Sequence, residues 1–269
     1  MLQGLRDLDA YLERIGLRGR PSPAEVHRAH ATSIPFENLD PHAGRPVSLE
    51  LSDLERKLVA QRRGGYCFEQ NLLLKSALEA LGARVEPMLA RVRSGAPAGT
   101  VRPRTHLVLR VHAQGASWLA DVGFGAGTLL EPLPFAAGGA HEQSGWHFRL
   151  VEEGRELVLQ RREGGGWADL YAFLPEPVPH VDIETSNWFT AGHPRSPFVT
   201  GLMISTQARD GTRTSLSDWD ALALTERTPA GATVTAVSRG QIPSLLAERF
   251  GLRGFALDEG GRVVRAIGR

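Results

Sequence analysis

The chain has 269 residues, 42% of them hydrophobic, and its 31 basic and 30 acidic side chains leave a formal net charge of +1. That length suits one large domain or two or three small ones packed together, and the balanced charge gives no electrostatic reason to expect a nucleic-acid or membrane partner. No apolar run approaches a membrane span, residues 1–8 lack the basic-then-apolar order of a secretion signal, and a single cysteine, Cys67, excludes an internal disulfide or a multi-cysteine metal site and fits a reducing cytoplasm.

The first third reads as helices. Leu5, Leu8, Leu12 and Ile15 recur at helical spacing, and Gly16 ends the pattern. Ser22-Pro23-Ala24-Glu25 offers a capping box with proline at the first helical position. Pro35-Phe36-Glu37-Asn38-Leu39 then joins an aromatic, an acid and an amide in a helix-to-helix connection. Glu37 is expected to pair with Arg63 in a structural role. Ser48 is placed to cap a third helix carrying Leu51, Leu54 and Leu58. A fourth starts near Cys67, runs through Leu72, Leu73, Ala77, Leu78 and Leu81, and stops at Gly82.

The middle changes character. Residues 85–92, 106–111, 118–122, 148–150 and 156–159 read as short strands. Turn clusters separate them at Ser94-Gly95-Ala96-Pro97, Gln114-Gly115-Ala116 and Gly164-Gly165-Gly166, the pattern of an antiparallel sheet or barrel. After Pro175, Pro177 and Pro179 the pattern mixes again. Residues 186–190 read as a short helix or a linker, 202–206 and 233–237 as strands, and 242–250 as a helix with Gly251 just past its end.

The chemistry concentrates around Cys67, in Arg62-Arg63-Gly64-Gly65-Tyr66-Cys67-Phe68-Glu69-Gln70-Asn71. The two glycines are expected to supply backbone angles closed to other residues. A helix starting at Cys67 would favour a thiolate. The bland alternative is a buried structural cysteine, the common fate of a lone thiol.

A thiolate nucleophile calls for a base, and of nine histidines His106 stands apart because it opens a strand. After a short hairpin comes Trp118-Leu119-Ala120-Asp121-Val122. Any register that pairs even with odd positions puts His106 and Asp121 on one face, opposite or one diagonal apart. The carboxylate would then hold the imidazole's tautomer, as in a triad. A slip of one residue would send them to opposite faces, and a solvated cross-strand polar pair is the bland counterpart. Gly123-Phe124-Gly125-Ala126-Gly127 follows. It is not a dinucleotide fingerprint, since Thr128 stands where a third glycine is needed, and no Gly-Lys-Ser/Thr makes it a P-loop. It reads as a flexible turn or as a bare loop that a cofactor approaches closely.

Together, Pro35-Phe36-Glu37-Asn38-Leu39, the segment 63–71, Thr105-His106-Leu107-Val108-Leu109 and Ala120-Asp121-Val122-Gly123-Phe124-Gly125 resemble the arylamine N-acetyltransferases over roughly the first half of the chain. Farther on, only His193-Pro194-Arg195-Ser196-Pro197-Phe198 looks similar. The resemblance implies an α+β fold: a helical bundle (1–84), an antiparallel β-barrel (85–190) and an α/β lid (191–269). It implies a catalytic triad of Cys67, His106 and Asp121, with acetyl-CoA as donor co-substrate and no tightly bound cofactor or metal. It also implies an acceptor pocket lined by Phe36, Val92, Phe124 and Phe198, suited to an arylamine or arylhydrazine. Thr105, Gly125, Ala126 and Gly127 are the candidates for contacting CoA. Arg102 or Arg104 are placed to meet its phosphates, although a solvated loop explains them better. Competing readings are an amide synthase of the same fold, a thiol hydrolase of the papain or transglutaminase kind, and a binding module with an inert cysteine.

Overall fold

A computed structural model describes residues 4–97 and 99–266, so the start of the N-terminal charge pattern, residues 1–3, lies outside the described residues. The N-terminal part holds α1 (Leu8–Arg14), α2 (Pro23–Ser33), the two-residue strand β1 (Phe36–Glu37), α3 (Leu39–His42), α4 (Leu51–Leu54) and α5 (Cys67–Ala80). The Ser22 and Glu25 capping box forms at the start of α2 as the sequence predicts. Ser48 does not cap α4. The helix begins later, at Leu51, and the Ser48 hydroxyl instead accepts the Glu50 N–H at 3.2 Å. α4 widens into a π-helical turn over Glu55–Ala60, where buried Arg14 reaches across to the Leu58 carbonyl at 3.0 Å. Tyr11, Leu12, Ile15, Val26, Leu73, Leu74 and Leu78 form the shared core of this part.

An eight-stranded antiparallel sheet follows: β2 (Arg84–Val92), β3 (Arg104–Ala113), β4 (Ala116–Ala120), β5 (Leu133–Pro134), β6 (His141–Gln143), β7 (Trp146–Glu153), β8 (Glu156–Glu163) and β9 (Gly166–Phe173). Its spatial order is β5-β4-β3-β2-β9-β8-β7-β6. The sheet curls into a nearly closed barrel, and Gln143 on the last strand bridges the gap. Its side-chain oxygen accepts from Leu130 N at 2.9 Å and its amide donates to Glu131 O at 2.7 Å. Met88, Val108, Leu119, Phe148, Leu159, Tyr171 and Phe173 fill the interior. β9 has no counterpart in the sequence reading. Its outer half is partly solvated and its inner half buried on both faces, and a bulge in its partner at Leu159/Gln160 shifts the register. No alternation survives to mark it.

The third part begins with α6 (His180–Gly192), which resolves the 186–190 stretch as helix and spans the expected boundary at 190/191. α7 (Pro197–Thr200) leads into β10 (Met203–Gln207), β11 (Arg213–Ser217), β12 (Ala223–Thr228) and β13 (Gly231–Ala236), then α8 (Ile242–Arg249) and the small pair β14 (Phe255–Leu257) and β15 (Val263–Arg265). Ile242 and Leu246 of α8 pack on Ile204, Leu216 and Leu224. β1 completes this sheet by pairing antiparallel with β10, Phe36 opposite Ser205. No helix among the described residues is long and apolar enough to cross a membrane.

Two histidines of α2, His27 and His30, are fully buried. The Tyr11 hydroxyl donates to His30 Nδ1 at 2.9 Å while Nε2 donates to Gln70 Oε1 at 2.6 Å, a set of roles that a neutral ring satisfies. Burial is the main cause that pushes His30 down to about 3 and His27 down to about 4 from an ordinary 6.5. Both folded values lie below the unfolded one, so their contribution to stability is complete above pH 6.5 and is lost as pH falls through about 4 for His27 and about 3 for His30. The unfolded chain binds up to two more protons in that window, a slope of roughly 3 kcal/mol per pH unit. Thermal unfolding measured from pH 7 to pH 4.5 is expected to show a falling Tm across this window; a flat profile down to pH 5 would show that neither ring is held neutral.

Candidate active site

Cys67 is the first residue of α5 and is buried. Gly64 and Gly65 correct the sequence reading: neither lies in the left-handed region, and the positive φ in this turn belongs to Arg62, at 51°. The glycines are needed for close approach. A Cβ on Gly64 would lie 2.0 Å from the Pro35 carbonyl oxygen, and one on Gly65 2.8 Å from the Glu69 carboxylate. The Pro35–Glu37 backbone runs beside this turn, with Glu37 N donating to Gly65 O at 3.1 Å. Gln70 ties the same junction, donating to Pro35 O at 2.9 Å and to Gly65 O at 3.2 Å.

The expected Glu37–Arg63 pair is present. Arg63 donates to Glu37 Oε1 at 2.6 Å and to Asp40 at 3.0 Å. Lys57 extends the chain of charges to Asp40 and Glu69, each at 2.7 Å, and Glu69 accepts the Tyr66 N–H at 3.1 Å. Burial, only partly offset by Lys57, raises the Glu69 carboxyl above its ordinary range. These side chains hold the entry to α5 from one side.

His106 and Asp121 hold the other side. β3 and β4 pair His112 with Ser117 and Leu109 with Ala120, an even-with-odd register. Gln114 and Gly115, at φ 54° and 77°, make the two-residue turn. His106 Nε2 donates to Asp121 Oδ2 at 2.8 Å, and both residues are buried. Burial alone would push the imidazole down. The Asp121 charge and hydrogen bond, joined by a hydrogen bond with Cys67, outweigh it and hold His106 well above its ordinary range. Burial likewise works to raise Asp121. His106, Asn71 and the Gly123 N–H outweigh it, so the carboxyl stays below its usual range. Cys67 Sγ also lies 3.7 Å from the Thr105 carbonyl oxygen. A thiol, a charge-stabilised imidazole and an orienting carboxylate can together form and break an acyl thioester.

Around this centre Phe36 faces Phe198 with ring centroids 6.1 Å apart, and Phe198 packs against Tyr66 at 5.6 Å. Phe124 sets its edge against His106 at 4.9 Å. Val92 lies at the end of β2 opposite Tyr171, whose ring touches both His106 and Phe124. Gly125, Ala126 and Gly127 form a single 3₁₀ turn, and Gly125 lies beside Phe36, Met203 and Ser205. Arg102 donates to backbone carbonyls of its own loop at Ser94 and Gly95. Arg104 opens β3, and its carbonyl accepts the Ser186 hydroxyl. No cluster of three or more metal-ligating side chains occurs among the described residues.

Three further residues build the centre without having been singled out from sequence. Asn71, one turn after Cys67, donates to Leu107 O at 2.7 Å and Asp121 Oδ1 at 2.9 Å and accepts from Val122 N at 3.1 Å. Its spacing of four from Cys67 was the available signal. His27 accepts the Asp121 N–H through Nε2 at 3.1 Å and donates through Nδ1 to Leu130 O at 3.2 Å. The Tyr171 hydroxyl is buried near Asp121 without a hydrogen bond of regular geometry, and burial, then the Asp121 charge, keep it protonated.

Gly123 is where the Asp121 segment meets Cys67. A Cβ there would lie 2.6 Å from Cys67 Cα and 2.9 Å from Asn71 Nδ2. Gly123→Ala is expected to force α5 and this segment apart and to slow iodoacetamide alkylation of Cys67 at pH 7 on the order of 10- to 100-fold while circular dichroism stays native. Wild-type alkylation in that variant would show that the contact does not set the site.

Known proteins show the same arrangement of chain. A family profile described as N-acetyltransferase matches residues 24–255. An arylamine N-acetyltransferase of Mycolicibacterium smegmatis is 41% identical over 91% of this chain and 92% of its own. An arylamine N-acetyltransferase / N-hydroxyarylamine O-acetyltransferase of Salmonella typhimurium is 37% identical over 84% of this chain and 80% of its own. The solved structure of the Mycobacterium marinum arylamine N-acetyltransferase in complex with CoA superposes with a TM-score of 0.86 at 36% identity, covering 91% of this chain and 93% of that one. Similarity of this extent, in sequence and in fold, makes the chain a member of the arylamine N-acetyltransferase family.

Proposed function

We infer that this enzyme moves an acetyl group from acetyl-CoA, through a thioester on Cys67, to the nitrogen of an arylamine or arylhydrazine by a ping-pong mechanism. The observation that carries this reading is the buried 2.8 Å contact between His106 and Asp121 beside a thiol at the start of α5.

With Nε2 committed to Asp121, Nδ1 of His106 is the nitrogen left for Cys67. Cys67 gives its proton to His106, and the thiolate attacks the acetyl carbonyl. The tetrahedral intermediate collapses as the C–S bond to CoA breaks, and the imidazolium protonates the departing thiolate. An amine then attacks the Cys67 thioester, His106 takes the amine proton, and the Cys67 C–S bond breaks to release the amide. Asp121 stabilises the imidazolium throughout, and the α5 N-terminus favours each thiolate. Phe36, Phe124, Phe198 and Val92 form the apolar wall for the aromatic acceptor, and Thr105 with Gly125, Ala126 and Gly127 meets the donor. The same reading places the enzyme in the cytoplasm, where a lone thiol stays reduced.

Intact mass after mixing with acetyl-CoA alone is expected to rise by one acetyl group, and Cys67→Ala to show no gain. An unmodified wild-type protein would favour the amide synthase, and hydrolysis of peptide amides without any response to CoA would favour the thiol hydrolase. Asp121→Asn is expected to keep the fold and lose on the order of 10⁴-fold in turnover, because an amide neither stabilises imidazolium nor fixes the tautomer. Near-normal kcat in that variant would remove Asp121 from the mechanism.

A further inference from the structure

Arg213 is a buried cation that this mechanism leaves unused. It lies on β11, is 1% exposed, and donates through one terminal nitrogen to the carbonyls of Ala126 and Thr128, both at 2.8 Å. Its Nε and its other terminal nitrogen are buried without a hydrogen-bond partner. Among the described residues no carboxylate pairs with it. Its charge rests against the faces of Trp146 and Phe148, at 4.9 and 5.8 Å. The neighbouring charge has the same sign: Arg161 sits 5.1 Å from the Trp146 ring, and after burial it is the next cause that weakens the guanidinium's hold on its proton. An uncompensated charge in such a place destabilises a fold unless something balances it.

The surroundings point to what balances it. Gln207, the cross-strand partner of Arg213, donates to Gly125 O at 2.7 Å. The two side chains therefore draw the carbonyls of Gly125, Ala126 and Thr128 toward β10 and β11. The positive ends of those peptide dipoles turn the other way. At its start the same turn touches the catalytic centre, through Phe124 on His106, and Thr128 Oγ1 donates to Asp121 O at 3.1 Å.

We propose that Arg213 is a buried counter-charge for the anionic part of the acyl donor, acting through the Gly125–Gly127 turn. The inference rests on the Cys67 acyl-transfer reading above. In the free enzyme the guanidinium charge is unbalanced; donor phosphates settling against the far side of the turn balance it. Charges separated by protein rather than water interact strongly and are little screened by salt.

The test compares two acetyl donors that acylate Cys67, anionic acetyl-CoA and the uncharged ester p-nitrophenyl acetate. Arg213→Gln removes the charge and keeps an amide donor for the turn. It is expected to lower the ratio of the acetyl-CoA rate to the p-nitrophenyl acetate rate about tenfold. Arg213→Lys keeps the charge and is expected to hold that ratio within about twofold of wild type. Should Arg213→Gln fail to fold, Arg213→Met carries the same expectation as Arg213→Gln. An equal loss with both donors, an unchanged ratio in the neutral variants, or a lysine variant that behaves like glutamine would each overturn the proposal and leave Arg213 a strut for the turn. If neither donor labels wild-type Cys67, the acyl-transfer reading itself fails, an outcome distinct from these.

Discussion

A carboxylate with no water around it must find its hydrogen bonds in protein, and Asp121 is that carboxylate here. Removing one from water costs several kcal/mol unless partners replace the solvent. His106 supplies one from β3, Asn71 another from α5, and the Gly123 N–H a third. His27 on α2 takes up the backbone N–H of the same residue. One strand and one helix are thus bound to this side chain, and a second helix to its backbone. Its charge in turn fixes the charge of His106, so the group that orients the centre also organises the packing around it.

The turn before Cys67 obeys a second electrostatic constraint. Glu37, Asp40 and Glu69 face Arg63 and Lys57, three acids to two bases, with little solvent among them. Half-satisfied networks of this kind are unstable. Here the remaining acceptor positions go to backbone N–H groups, Leu39 on Glu37 and Tyr66 on Glu69. The network is attached at both ends to the backbone segments that place Cys67. It accounts for the acid of the Pro35–Leu39 segment without giving it a part in the chemistry, whereas the amide, Asn38, ties the segment to Phe198, Gly201 and Met203.

The sequence made the centre legible where local rules operate. Strand alternation about a short hairpin brought His106 and Asp121 to one face in the register that formed, and a glycine turn marked the start of α5. Distant pairings were out of reach. His27 looked like any helix histidine, because only the fold brings it to Asp121. β9 escaped because its burial follows no alternation, and β11 because Arg213-Thr214-Ser215-Leu216-Ser217 reads as a polar loop. Gly64 and Gly65 show a subtler limit. Their missing side chains were plain, but whether that absence serves backbone freedom or close approach depends on Pro35 and Glu69, which only three dimensions supply.

The pairing of Phe36 with Ser205 carries a consequence for biosynthesis. The His106–Asp121 hairpin joins near neighbours along the chain and can close early, whereas β1, already bridged to Gly65 through Phe36, must wait for β10 to emerge before it joins a sheet. Contacts of such long sequence separation form late, since loop-closure entropy is paid first. A ribosome-bound chain halted before β10 would hold a finished hairpin and a Cys67 turn already tied by Glu37, Arg63 and Gln70, with the edge of β1 still open to mispairing.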